Sequence, residues 1–312
     1  MLKILLSRLG QCLLMAWSVG TLTFILTRLL PGDMAYKIAT GRYGDDAVST
    51  AAANAVNAEL GLDRPAFQQY LVWLGDLITG DLGTSLVTGA PVVHELKNQM
   101  SFTLVLAFWA ILAAALIAFP VGLLCGAKAE TVPDKASLIT STFIRSQPVF
   151  CLGLLLIFIF SMELNWFPVA GFGSAEYAVL PVLTLALSLA AVSNRVVRNS
   201  TRQAVNSAYF HFARTKGLSY AQAFTRHVIP NVIVPGLAFM GIQLIGLIEG
   251  VIMVESLFAW PGIGHGLSHA VFARDIPMLQ GTALVMGMLF VAINTLVDIS
   301  QHYLDPRTRL EN

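Results

Sequence analysis

The chain has 312 residues, of which 56% are hydrophobic and only 12% charged, and its mean hydropathy is +0.70, whereas a soluble domain carries about 25% charged residues. That excludes a soluble globular fold for most of the chain, which must lie in lipid. A formal net charge of +1 identifies no partner, because the position of the charges along the chain matters more than their sum.

Lys3 and Arg8 precede the apolar run Leu9 to Leu30. The run is longer than the 7 to 15 residues of a secretory signal and no small-residue cleavage site follows, so it is expected to stay in the membrane as the first span. A bilayer core of about 30 Å takes about 20 apolar residues of helix, whose backbone groups must all be bonded internally. Five further stretches approach that length, namely Ser101 to Gly126, Ser137 to Met162, Val179 to Asn194, Val232 to Val254 and Met278 to Leu304. The expected fold is an all-α membrane protein of six transmembrane helices. Its parts are a first span over 1–30, an extracytoplasmic insertion over 31–100, a five-helix core over 101–304 and a tail over 305–312.

Six spans put both termini on one side. The segments on that side hold about 12 Lys and Arg and the opposite segments about 5, so the positive-inside rule places the termini in the cytoplasm. Within the insertion, Ala47 to Leu60 reads as one helix, and Gly61 and Pro65 separate it from a second. There Phe67, Leu71, Leu74 and Ile78 recur at helical spacing as one apolar stripe. That helix either lies on the bilayer with Tyr70 and Trp73 at the headgroups or packs on the outer ends of the spans. No internal repeat is evident. Cys12, Cys125 and Cys151 sit in apolar runs with no metal or redox spacing and read as core residues.

The loop from Arg195 to His227 holds six basic residues and no acid, which the positive-inside bias explains. The order within it needs another reason. Tyr209 to Ala213 forms a short helix that stops at Gly217, where a left-handed end suits a residue without Cβ. Ser219 then opens a second helix with Gln222 at capping-box spacing, and Pro230 leads into the next span. Helix, glycine turn, helix and proline make a rigid knob that can transmit force.

Here the sequence resembles the permeases of binding-protein-dependent ABC importers. Their loop signature is matched by Ala213, Gly217 and, with Ile229 before it, Pro230. It is most similar to the dipeptide, oligopeptide and nickel branch, through Tyr209, Ala213, Arg214, Lys216, Gly217 and Leu218. His211 and Ala208 stand where that branch carries charged residues, so a difference in partner choice or coupling strength is expected. Similar motifs run along the chain: Arg28 to Asp33, Leu60 to Pro65, Gly80 to Ser85, Trp166 to Pro168, Glu255 to Gly264, Val297-Asp298 and Leu304 to Arg307.

The resemblance implies a permease of the bacterial inner membrane that pairs with a second, related permease, two cytosolic ABC ATPases and a periplasmic solute-binding protein. The loop over 195–228 would carry the coupling helix. The solute would be a di- or oligopeptide, or nickel or a metal chelate. No phosphate-binding G-x-x-x-x-G-K-[ST] occurs, so this chain is expected to have no catalytic residues and to bind no cofactor, with ATP and Mg on the partner subunits.

Arg145, Glu249 and Asp298 fall within or at the edge of spans, where an ionised group costs about 3 kcal/mol. They are candidates, with Met253 and Glu255, for the translocation pathway or a gate; a structural ion pair or snorkelling is the plainer reading, and Val297-Asp298 suggests a scaffold role. Glu255 to Gly264 is either a turn dipping back toward the bilayer or a tight loop with an interfacial Trp260. The methionines, Met253 included, are more often packing than ligands. His265 and His269 share a helix face with no third ligand near, so no metal site is expected. An intramembrane hydrolase lacks its motifs, and a channel lacks a ring of like charge.

Overall fold

The computed structural model describes residues 2–29, 32–44, 49–60 and 65–304. Within them the side chains of 2–9, Thr27, Leu60, Ile245, Ile248, Glu249 and 298–304 are outside the description. The motif residues Leu30, Pro31, Gly61 to Arg64 and Asp305 to Arg307 are also outside it.

The described residues are almost wholly helical, and their one bridge pairs Thr84 with Pro91. In chain order the helices are α1 (Leu2–Leu29), α2 (Met34–Tyr43), α3 (Thr50–Leu60), α4 (Ala66–Thr79), α5 (Val92–Ala127), α6 (Val132–Ser146) and α7 (Val149–Leu156), which runs on as a π-helix over Ile157–Glu163. Then follow α8 (Glu176–Val205), α9 (Ala208–Thr215), α10 (Tyr220–Ala223) with a π-helix over Phe224–Val228, α11 (Ile229–Leu257), α12 (Ile263–Ala273) and α13 (Ile276–Leu304). They group into two compact units, Met1–Thr103 with Pro261–Ala292, and Leu104–Trp260 with Ile293–Asn312.

Among the described residues, four helical stretches are long and apolar enough to cross a membrane: Val92–Ala127, Glu176–Val205, Tyr220–Leu244 and Ile276–Val297. A fifth exists if α6 and the helix after it count as one span, although they meet at 109°. The sequence suggested one continuous stretch from Ser137 to Met162. Pro148 breaks it, having no amide to donate and holding Gln147 extended at φ −94°, ψ 141°. In α1, Gly10–Leu26 is a shorter apolar segment. The fourth span is longer than the 16 or so apolar residues suggested, because α8 continues through the arginines that end its apolar part.

In the first unit, the Asp33 carboxylate caps α2 by accepting from the amide of Ala35 at 2.9 Å, the role such a residue plays for orphan helix amides. α2 and α3 bury Ile38, Ala39 and Val56 against each other. Tyr70 and Trp73 of α4 do not face outward. They pack on Phe24 of α1, with ring centroids 5.3 and 6.3 Å away, and the Tyr70 hydroxyl hydrogen-bonds Thr21 at 2.9 Å. Of the stripe, Phe67, Leu71 and Ile78 are exposed, at 70%, 50% and 81%. The aromatic pair therefore binds α4 to the first span, and part of the apolar stripe faces out.

In the second unit, α5 lies close against α8. A Cβ on Gly122 would meet Val197 at 2.7 Å, and one on Gly126 would meet the Arg198 carbonyl oxygen and Thr201 at 2.5 Å. Small residues four apart let membrane helices approach this way. We expect Gly126→Leu to force the two helices apart at a cost of about 1–3 kcal/mol, read as a lower melting temperature of detergent-solubilised protein; an unchanged value would contradict the close packing.

At its end, α11 turns through Phe258 to Trp260 with Ala259 at φ +48°. Trp260 is 5% exposed and meets Phe172 edge to face at 5.3 Å, so it is a core residue rather than an interfacial one.

Candidate functional site

The loop between α8 and α11 is the most organised polar feature of the second unit. Ser207 caps α9 by accepting from the amide of Phe210 at 3.3 Å. The helix ends at Lys216, and Gly217 follows at φ +94°. No atom lies within 4 Å of where its Cβ would stand, so the backbone conformation, and not space, calls for glycine. Ser219 and Gln222 then form a full capping box: the Ser219 hydroxyl accepts from the Gln222 amide at 3.3 Å, and the Gln222 side chain accepts from the Ser219 amide at 3.0 Å. Pro230 is the second residue of α11, which continues directly from the π-helix over Phe224–Val228.

α9 is two-sided. Phe210 and Ala213 are buried in one cluster with Val197 and Ala204 of α8, Ala223 of α10, Val228, and Val232 of α11; Leu218 packs at its edge. The opposite face presents Tyr209, 44% exposed, Phe212, 60% exposed, and Lys216, whose ammonium lies 4.6 Å from the Phe212 ring centroid. Arg214 turns back and donates to the Leu218 carbonyl at 3.0 Å, tying the glycine turn shut. The seven residues singled out in this loop are therefore held in one structured element. Phe212 and Tyr220 lie outside those seven, yet they are exposed aromatics on the same loop, and Phe212 stands three residues from Tyr209 beside the buried Ala213.

Below the loop, α6 and α8 are joined by a polar ladder. Arg198 donates to both Asp134 oxygens, at 2.9 and 2.5 Å, and Arg202 pairs with Glu130 at 2.6 Å. The next rung is Asn194, which donates to Ser137 at 2.8 Å and Ser141 at 3.2 Å. Arg198 holds the Asp134 carboxyl down at about 2, opposed by burial and helped by the amide of Glu130. A carboxyl depressed in the folded state lends stability that is complete above its ordinary pKa of 3.8 and is lost as pH falls through about 2. Over pH 5 to 8 the pair should therefore contribute no pH dependence to thermal stability, so Asp134→Asn should leave the shape of the stability curve over that range unchanged, and a changed shape would contradict it.

The proposed pathway residues are dispersed. Arg145 ends α6, exposed; Met253 is exposed on α11; Glu255 is fully buried near the end of α11. The side chains of Glu249 and Asp298 lie outside the described residues.

In the first unit, His265 and His269 of α12 approach Nε2 to Nε2 at 3.1 Å. They line a cavity of about 590 Å³ with Lys37, Glu95 and Gln99. Burial, and then the neighbouring His269, push His265 below its ordinary value. Among the described residues no group of three His, Cys, Asp or Glu gathers to hold a metal.

Several long apolar helices with a folded loop between two of them are those of a multi-pass membrane protein, and the chain belongs to the binding-protein-dependent transport system inner membrane components: residues 118–310 match that family, and residues 1–107 match its N-terminal companion. It is a transport subunit of ABC importers, not an enzyme. Among its relatives, a glutathione transport system permease protein of Escherichia coli O6:H1 is 34% identical over 309 residues, covering 99% of each chain. A Brucella abortus protein named as a peptide transport system permease is 35% identical over 323 residues, covering all of both. These relatives belong to the dipeptide, oligopeptide and nickel branch. A crystal structure of an amino acid ABC transporter with histidines shares the fold at a TM-score of 0.55 and 19% identity, over 68% of this chain and 94% of that one.

Proposed function

We propose that the chain forms half of the translocation pathway of an ATP-driven importer for di- or oligopeptides or similar small peptides, and that α9 is the contact through which a cytosolic ATPase moves the spans. The observation that carries the coupling role is the two-sidedness of α9, with one face sharing a core with α8 and α11 and the other offering Tyr209, Phe212 and Lys216 to a partner. The relatives' names, glutathione and peptide, favour a peptide-type solute over nickel or a metal chelate. The remaining parts of the machine are a second permease, two ATPases that hold ATP and Mg, and a periplasmic binding protein.

In this reading the termini and α9 face the cytoplasm. A cysteine replacing exposed Thr215 should react with a membrane-impermeant maleimide in inside-out vesicles and not in intact spheroplasts; labelling from outside would overturn the orientation. The function itself is tested by reconstituting the complex with its binding protein and following radiolabelled glutathione and a dipeptide. Uptake that requires ATP supports the proposal, and solute carried without any ATPase sinks it.

A further inference from the structure

We propose that Arg145 and Arg195 form an anion pocket at the junction of α6 and α8 that takes a compact oxyanion, a carboxylate or a phosphate group. α8 presents Arg195, Arg198 and Arg202 at i, i+3 and i+7, on one face. The lower two are matched, Arg198 with Asp134 and Arg202 with Glu130. One turn beyond Ser141, α6 carries a further arginine, Arg145. Both arginines line a cavity of about 340 Å³ together with Ser141, Thr142, Ser146 and Val192. None of its lining residues is acidic, and among the described residues neither guanidinium makes an ion pair or hydrogen bond. Arg195 does lie near enough to Asp134 to help depress its carboxyl, but the ion pair there belongs to Arg198.

Two like charges left facing one cavity repel each other, and a guanidinium offers a planar fork of donors shaped for an oxyanion. The hydroxyls divide the work. Thr142 and Ser146 spend their hydrogens on the carbonyls of Leu138 and Phe143, each at 2.8 Å. Ser141 accepts from Asn194, so its hydrogen is free to donate into the pocket. Depth matters as well. Arg195 lies about 28 Å along α8 at 1.5 Å per residue, close to the end of a core about 30 Å thick. A cation there faces water, protein or an anionic headgroup.

The oxyanion has two possible sources, the carboxylate of the transported solute, which rests on the importer reading, or a phospholipid headgroup, which does not. The test uses the complete transport complex with Arg145→Gln, Arg195→Gln and the matching lysine variants. If the solute is the source, ATP-driven glutathione uptake should fall about tenfold or more in the glutamine variants and recover partly with lysine, while phosphatidylglycerol retained per complex, by native mass spectrometry, stays at the wild-type level. If lipid is the source, that retention should fall at least about fivefold. Either way Arg145→Gln should melt no lower than wild type without ligand, because that guanidinium has no ion pair to lose, whereas Arg195→Gln also gives up its attraction to Asp134. An Arg145→Gln variant that melts several degrees lower, or glutamine variants that keep uptake and lipid retention within about twofold of wild type, overturn the pocket. Were wild type to show no ATP-driven uptake, the importer reading would fail and lipid retention alone would decide the pocket.

Discussion

Replacing Gly217 with valine is expected to reduce ATP-driven uptake by about tenfold or more, while the protein inserts and the complex assembles. An L-residue in left-handed backbone costs about 1–2 kcal/mol, and a β-branched side chain is worse placed there than most. At φ +94° valine pushes the turn toward another conformation, although nothing stands where its Cβ would go. The turn sets the angle between α9 and α10, so the exposed face of α9 loses its aim while its own hydrogen bonds survive. Arg214→Glu acts on the same turn by removing the donor to the Leu218 carbonyl and should uncouple more mildly. The measurement is uptake and ATP hydrolysis side by side in proteoliposomes. Hydrolysis that persists as uptake falls marks uncoupling, and unchanged uptake in both variants argues against the role.

The second large effect is on stability. Asp134→Asn should destabilise the protein by about 3 kcal/mol, near the lower end for breaking a buried ion pair, because Arg198 and Asp134 are only 12% and 6% exposed and the arginine would keep its charge without a counterion. The double variant with Arg198→Gln should lose less than the sum of the two single changes, since neither charge is then stranded. Melting temperatures of the purified protein, compared as a double-mutant cycle, decide it. Strict additivity would show that the two side chains do not depend on each other.

Much of this was legible in the sequence because its signals are local. Apolar length exposed most of the spans, and Ser219, Gln222 and Gly217 declared caps whose chemistry is complete within a few residues. What was hidden depends on residues far apart in the chain. Asp134 gives no sign in sequence of meeting Arg198, nor Tyr70 and Trp73 of turning toward Phe24. The bend after Ser146 was in plain view as Gln147-Pro148, but the apolar run on both sides suggested one helix. Gly122 and Gly126 also stand at a readable spacing, yet four-residue glycine pairs are common enough that only the nearness of Val197 and Thr201 gives this one a meaning. Arg145 stood out as a charge near lipid. That a second unmatched arginine shares its cavity follows only from how α6 lies on α8.

The burial of Phe210 and Ala213 beside Val197 and Val232 has a mechanical corollary. A close-packed cluster is nearly incompressible, so it leaves no slack between the loop and the feet of the two helices it touches. Under the coupling role proposed above, a nudge delivered at Phe212 would be handed on as a tilt of those helices rather than absorbed as bending of the loop, and the stroke of the machine would be set by how far its motor travels.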